Sequence, residues 1–372
     1  MKPNAWIEIS KSAVTHNATN IRSLLSQETK LMHVIKSDAY GIGIKNIAPL
    51  TENYVDWYGV NDLDEALEVR KLTSKNILIL GYIDKKDIRS AIDNEFSFNL
   101  YNFEFIQTIK KVATSSNPAK IHINIDSGLS RLGIPRDKIF LFIQNLLNCS
   151  VIKLEGIYTH FSTISDTHGN PTYQKVLEDF LITTKKVKSD GVDLDLLHTA
   201  SSGATFLYPD THLDLVRVGI AMYGMWGYEN YINLIEQMSD LKLIPAIALK
   251  SQVINLNIVK AGSGVGYGHN YTATDNTLIA VIGIGYADGL DRRFNSRGEV
   301  TINNQTAKIV GKIAMNTIMA DVTHIQDIAI GDTVTIYSSN SSDIYKYVTC
   351  SQISTYEALN RLNPKLPRII TE

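Results

Sequence analysis

Two textures of hydrophobic patterning divide the chain. Short apolar, β-branched runs recur first, at Leu31–Lys36, Trp57–Val60, Ile77–Gly81, Phe96–Leu100, Lys120–Ile125, Ile152–Tyr158, Leu194–His198 and Leu215–Val218. Between most of them lie amphipathic stretches such as Asn61–Thr73, where Leu63, Ala66, Leu67 and Val69 fall on one helical face. Eight strands alternating with helices predict an α/β fold of the (β/α)8 barrel type, with an open doubly wound sheet as the alternative on pattern alone. After about Gln237 strand-like runs follow one another without long helices, at Leu243–Ile254, Thr277–Ile282, Glu299–Ile302, Ala307–Val310, Thr317–Asp321 and Thr333–Ile336. Gly, Asn and Asp turns separate them, which predicts a second, mostly β domain. The expected division is residues 1–237 and 238–372, with one helical stretch at Ser351–Leu362. The opening run Ala5–Ile9 fits either domain.

Composition narrows the function classes. A length of 372 residues suits two domains, and 44% hydrophobic with 20% charged residues is ordinary globular usage. The net charge of −2 and the scattered lysines give no basic stripe, so nucleic acid and membrane surfaces are not expected partners. Cys149 and Cys350 belong to no paired motif, which fits a reducing compartment. No apolar run reaches membrane-spanning length and no signal-peptide core stands at Met1–Asn4, so a cytoplasmic setting is expected, either free or as the cytoplasmic domain of a membrane protein. The nine histidines show no metal-site spacing, so no metal is expected. The glycines of Gly262–Gly268 lie at dinucleotide-like intervals, but no helix-forming stretch follows them.

The segment Leu31–Gly43 (LMHVIKSDAYGIG) carries a lysine to the end of an apolar strand, where Asp38-Ala39-Tyr40-Gly41 turn the chain. In a barrel that end faces the active site, and lysine forms Schiff bases with aldehyde cofactors. Taken alone, Lys36 reads more readily as a solvated residue after a strand. Eight further segments change that reading: INIDSGLSRLGI (123–134), YTHF (158–161), HTASSGA (198–204), VRVGIAMYG (216–224), GVGYG (264–268), IGIGYADG (282–289), GKIAMN (311–316) and TYEA (355–358). In type and order these resemble the motifs of the alanine racemase family of barrel-type enzymes, from about Ala5 to Arg368.

The resemblance implies pyridoxal 5'-phosphate bound to Lys36, a head-to-tail homodimer with shared active sites, and interconversion of L- and D-alanine for cell-wall precursors. Lys36 and Tyr267 are then the two acid–base groups, with Tyr267 supplied by the partner subunit. His160 lies against the cofactor, Arg217 faces its ring nitrogen, and the His160–Arg217 pair supplies the positive charge that favours a phenolate. The phosphate is expected among Ser202, the amides of Gly219 and Ile220, and the hydroxyls of Tyr40 and Tyr356. Arg131 and the Met315 amide are expected on the substrate carboxylate, and Tyr286 at the entrance, where a purely structural tyrosine reads as well. Arginine beside the ring nitrogen cannot accept a proton, whereas a carboxylate would hold one there and prolong the life of the deprotonated substrate.

The chain departs from the family at Asn124, where many members have a carbamylated lysine, and at Ala314 and Asn316, where cysteine and aspartate are common. An inorganic anion is therefore expected to stand in for the carbamate beside Arg131. A related branch, the racemase domains of membrane-bound vancomycin-resistance proteins, handles serine as well as alanine. Tyr356, which fills space beside the substrate methyl group in alanine-specific relatives, points to alanine. A barrel-type decarboxylase is disfavoured by Tyr-His-Phe and Tyr267, and a non-catalytic cofactor carrier by the second domain.

Overall fold

The computed structural model describes residues 3–372 apart from 148, 165–170, 228–234, 236–240, 296 and 339–340, so the expected domain division at 237/238 lies outside the described residues. The chain opens with β1 (Ala5–Ser10) and the helix Lys11–Ser23, whose first turn is capped by Ser10 Oγ accepting from the Ala13 amide at 3.2 Å. Eight strands follow: β2 (Lys30–Val34), β3 (Trp57–Val60), β4 (Asn76–Ile79), β5 (Ser97–Asn99), β6 (Ala119–Asn124), β7 (Ile152–Tyr158), β8 (Leu196–His198) and β9 (Leu215–Val218). Each overlaps one of the expected apolar runs. Consecutive strands pair in parallel from β2 to β8, and β9 returns to pair with β2. A Ser201–Arg217 bridge, with the Arg217 amide donating to the Ala200 carbonyl at 3.0 Å, closes the ring between β8 and β9. The two end strands of the order, β8 and β9, are thus joined, which an open doubly wound sheet does not allow. The barrel is the observed fold.

Alternation along the strands sorts the side chains. Outward residues such as Ile121, Ile123, Val216 and Val218 pack under the helices in the main core. Inward residues split into two sectors. Met32, Val34, Trp57, Leu78, Leu196 and Leu215 form a separate apolar cluster within the ring. Ser97, Asn99, His122, His198 and Arg217, all buried, bring polar groups into the other sector.

The second domain contains β10 (Ile247–Val259), β11 (Gly264–Val265), β12 (Tyr271–Thr272), β13 (Thr277–Ile282), β14 (Glu299–Ile302), β15 (Gln305–Val310), β16 (Ile318–Asp321), β17 (Thr333–Tyr337) and β18 (Arg368–Thr371). The long β10 pairs with both β13 and β17, so six strands in the order β10-β13-β16-β15-β14-β17 close on themselves. Strand β1 joins this sheet, antiparallel to β10 with Ile7 opposite Leu249, and β18 lies parallel to β1. The opening run therefore belongs with the second domain.

Some expected boundaries move, two of them with a clear local cause. Strand β10 begins at Ile247, not Leu243, since Pro245 supplies no ladder donor. The single helical stretch at Ser351–Leu362 becomes two helices, Ser341–Ser351 and Thr355–Asn360. Gln352, at φ 54°, ends the first, and a Ser354–Glu357 capping box starts the second. Among the described residues no helix is long and apolar enough to cross a membrane.

Candidate active site

A cavity of about 710 Å³ opens where the barrel strands end. Lys36 follows β2, Asn61 follows β3, Gly81 follows β4, and Asn124 closes β6. Tyr158 and His160 come from the end of β7, Ser201–Gly203 follow β8, and Arg217, Gly219 and Ile220 come from β9. The helix Thr355–Asn360 adds Tyr356 and Asn360 from the second domain. Barrels place their chemistry at this end because loops there vary without disturbing the strands.

Directly after Lys36 the backbone turns left-handed, with φ of 56° at Ser37, 50° at Asp38, 54° at Ala39 and 59° at Tyr40. Such geometry costs about 1–2 kcal/mol per L-residue. Specific contacts offset it. Glu65 Oε1 accepts from the Asp38 amide at 2.9 Å, and Asp38 Oδ1 accepts from the Ile44 amide at 2.7 Å. Tyr223 donates to the Ala39 carbonyl at 3.2 Å, and Arg368 to the Gly41 carbonyl at 2.6 Å. Gly41 has no room for a Cβ, which would lie 2.6 Å from the Leu359 carbonyl oxygen. The turn fixes where Lys36 leaves its strand. Burial lowers the Lys36 pKa, the Arg131 charge lowers it further, and Glu65 opposes both. The amine is thereby closer to its neutral, nucleophilic form than a free lysine is.

Arg217 is buried, and its terminal nitrogens are fully engaged. Nη1 donates to His198 Nδ1 at 2.9 Å and to the His198 carbonyl at 3.0 Å. Nη2 donates to the carbonyls of Thr159 at 2.8 Å and Thr199 at 3.0 Å, with His160 Nδ1 at 3.5 Å. The guanidinium lies 5.2 Å from the centroid of the Tyr158 ring. Among the described residues none accepts from its Nε–H, and Arg217 lines the cavity. Burial brings its pKa down to about 10, which still leaves it charged near neutrality. His160 behaves differently: burial first, then the charges of Arg217, Arg131 and Lys36, push it down to about 3. The positive charge expected of the His160–Arg217 pair therefore resides on Arg217 alone.

The expected phosphate ligands meet on one wall. Gly219 lies against the Tyr40 hydroxyl so closely that a Cβ would come within 2.1 Å of it, and its amide donates to Ser202 Oγ at 3.0 Å. The Tyr40 and Tyr356 rings lie 6.0 Å apart. Burial raises the Tyr40 pKa, so its hydroxyl stays a hydrogen-bond donor. Hydroxyls and backbone amides on one wall suit an oxyanion. Arg131 lines the same cavity. Asn124 Nδ2 donates to the Leu132 carbonyl at 2.6 Å, leaving Oδ1 as a buried acceptor with no partner.

Nine of the expected site residues thus share the cavity: Lys36, Tyr40, Arg131, His160, Ser202, Arg217, Gly219, Ile220 and Tyr356. Tyr267, Tyr286 and Met315 do not line it. They sit on the second domain, exposed by 73%, 40% and 57%. Backbone contacts draw them together: the Tyr286 amide donates to the Ala314 carbonyl at 3.1 Å, the Ala287 amide to the Met315 carbonyl at 2.9 Å, and Gly266 backs onto Gly311–Lys312. His198, His122 and Glu155 are not among the expected site residues; polar residues at inward positions of otherwise apolar strands were an available signal for the two histidines, but strict alternation gives none for Glu155.

Residues 9–226 match the alanine racemase N-terminal domain family and residues 246–370 its C-terminal domain family. Alanine racemase 1 of Oceanobacillus iheyensis is 32% identical over 98% of this chain and 97% of its own length. Alanine racemase of Leptospira interrogans is 31% identical over 99% of this chain and 96% of its own length. Among solved structures, alanine racemase of Clostridium difficile 630 superposes with a TM-score of 0.92 at 30% identity, covering 100% of this chain and 97% of that one. Alanine racemase of Bacillus anthracis with bound L-Ala-P gives 0.90 at 30% identity, covering 100% and 96%.

Proposed function

Since the chain belongs to the alanine racemase family, we infer that it is an isomerase that binds pyridoxal 5'-phosphate at Lys36 and interconverts L- and D-alanine. One observation carries the reading: the Lys36 side chain and Arg217, with its unpartnered Nε–H, face one cavity that also holds the Tyr40, Ser202 and Tyr356 hydroxyls. A covalent anchor, a donor for a ring nitrogen and a seat for a phosphate are what this cofactor requires. When bound, the cofactor supplies an electron sink for the pair left as the substrate's α-proton departs.

The chain's own residues divide the remaining work. Lys36 exchanges the α-proton on one face, and Tyr267 of the partner subunit exchanges it on the other. Arg217 would offer the ring nitrogen a hydrogen bond and could not take up a proton there, which would favour prompt return of the α-proton over transamination. Arg131 and the amide of the partner subunit's Met315 hold the substrate carboxylate. Reducing the purified, cofactor-loaded protein with borohydride should fix the label on the peptide containing Lys36. Recovery on a different lysine removes the central assignment.

Tyr356 sets the substrate. Its ring is pinned against Tyr40 and Gly227, where an added Cβ would lie 2.5 Å from Tyr356 Cε2. Serine brings a hydroxyl that needs both room and a partner, and a buried unpaired hydroxyl costs about 1–3 kcal/mol. Alanine is therefore preferred, and Tyr356→Asn should shift the ratio of kcat/KM values toward serine by roughly tenfold, about 1.4 kcal/mol. Equal turnover of both substrates by the unaltered protein, or an unchanged ratio in the variant, counts against Tyr356 as the determinant.

Asn124 predicts a distinct dependence on small anions. An amide cannot be carbamylated, and its Nδ2 is committed to the Leu132 carbonyl, so any anion is held by Arg131 and not by Asn124. Stripping bicarbonate should leave the rate unchanged, whereas replacing chloride with a poorly coordinating anion should lower it. A bicarbonate-dependent rate contradicts this.

A further inference from the structure

Arg217 stands at one end of a line of buried polar groups that runs down the barrel interior. His198 Nδ1 accepts from Arg217 Nη1 at 2.9 Å, and His198 Nε2 lies 2.9 Å from His122 Nδ1. His122 Nε2 lies 3.3 Å from Glu155 Oε2, which also accepts from the Ser97 hydroxyl. Lys153 Nζ is 4.0 Å from the other carboxylate oxygen. The line has a direction. Arginine only donates, so His198 must be unprotonated at Nδ1 and carry its proton on Nε2. That proton faces His122 Nδ1, which must accept it. His122 then carries its own proton on Nε2 and donates to Glu155. Both imidazoles are neutral, and a carboxylate at the far end balances the guanidinium.

Local devices of the sequence serve this line. Strand β7 carries a bulge where it meets β6: Ile121 pairs with Leu154 and His122 with Gly156, leaving Glu155 as the extra residue. A bulge re-aims a side chain, and here it turns Glu155 inward. Gly156 gives the room, since a Cβ there would lie 2.5 Å from His122 Nδ1. The rings are clamped: Tyr158 stacks on His198 at 4.7 Å and Trp57 meets His122 edge-on at 5.6 Å. Burial pushes the Glu155 pKa up, while the His122 and Ser97 hydrogen bonds and the Lys153 charge pull it down and favour the carboxylate.

We propose that Glu155 is a positioning residue: through His122 and His198 it fixes the proton order that aims the Arg217 guanidinium, leaving Nε–H as the donor facing the cavity. If Glu155 offers no acceptor, the His122 proton has reason to move to Nδ1, where it confronts the His198 Nε2–H. Relief of that conflict moves the His198 proton to Nδ1, against Arg217 Nη1–H, and the guanidinium must rotate. The role assigned to Arg217 rests on the cofactor reading above, but the proton order does not.

The test uses the full chain with 15N-labelled histidine, measured without and with added pyridoxal 5'-phosphate. In the unaltered protein both ring signals should report neutral, Nε2-protonated histidines, with or without the cofactor. Glu155→Leu should give His198 a protonated Nδ1, and kcat should fall by about ten- to a hundredfold at little-changed KM. Glu155→Gln, which keeps an acceptor, should retain the proton order and most of kcat. Should Glu155→Leu not fold, Glu155→Val, which equally lacks an acceptor and suits a strand, should give the same two changes. A His198 that stays Nε2-protonated in these variants, or a kcat that does not move, overturns the proposal. The intended order in a protein that binds no cofactor leaves the line standing and removes the cofactor reading instead.

Discussion

Lys36→Ala and Tyr267→Phe chains, each nearly inactive alone, are expected to regain about a quarter of the active sites when mixed in equal amounts and allowed to exchange subunits. Each lesion alone removes one of two proton-transfer groups, a loss of about 10²–10⁴ or more in rate. Half of the dimers after random exchange contain one chain of each kind. In such a dimer one site combines both lesions, and the other combines an intact Lys36 with an intact Tyr267. The expectation comes from the disposition of the chain: Lys36 lines the barrel cavity, while Tyr267 is 73% exposed on the second domain beside Tyr286 and Met315. An exposed aromatic cluster of this kind is suited to contact with another surface. Subunit exchange is verified first with differently tagged chains. No recovery after verified exchange would place Tyr267 in its own chain's site.

Acid is expected to unfold the protein from below about pH 6.5, well before its carboxylates protonate. His33, His160 and His198 are held neutral: burial is the main cause at each, bringing the first two down to about 3 and the third well below its usual value. In the unfolded chain each titrates near 6.5. Between about 6.5 and 3 the unfolded state therefore binds more protons, and stability falls as pH falls. Three groups give a slope of up to about 4 kcal/mol per pH unit, or about 6 kcal/mol between pH 7 and 5. That rivals a whole domain's stability of about 5–15 kcal/mol. Glu155, whose folded pKa is depressed, adds to this only at lower pH, losing its contribution as pH falls through the ordinary carboxylate range and below it. Urea unfolding at fixed protein concentration and pH 7, 6 and 5 measures the slope. His33→Phe keeps a ring against Tyr58 and Tyr223 and should remove about a third of it. A slope of less than one proton would show that these histidines charge inside the fold.

Much of this architecture was legible in the sequence because it is written in periodicity. Each barrel strand is a short apolar run buried on both faces, and such runs stand out between amphipathic helices. The cavity residues were legible by type and order, as with the lysine after β2 and the arginine within β9. What was not legible depends on breaks in the period. Strict alternation counted back from Tyr158 and Gly156 turns Leu154 inward and Glu155 outward; the bulge reverses this, and no residue type announces it. The left-handed turn at Ser37–Tyr40 is equally silent, since three of its four residues are not ones that favour positive φ, and contacts from Glu65, Tyr223 and Arg368 hold it. Gln352 split an expected helix for the same reason. Tyr267, Tyr286 and Met315 could be assigned a place only by resemblance, because within one chain they lie away from the cavity.

The place of β1 has a consequence in time. This strand is synthesised first, yet its partner residues Ile247–Ser251 on β10 emerge roughly 240 residues later, which at about 5–20 residues per second is some 12–50 s. Its other neighbour, β18, is the last of the strands described above to be made. Throughout that interval the barrel strands can assemble in sequence order, each beside the one before, while Ala5–Ser10 trails from them as an unpaired strand carrying Trp6, Ile7 and Ile9. An apolar strand with free edges is a template for association with other chains. On the ribosome, the barrel thus carries a sticky leader until the rest of the polypeptide arrives to cover it, and conditions that slow translation lengthen the exposure.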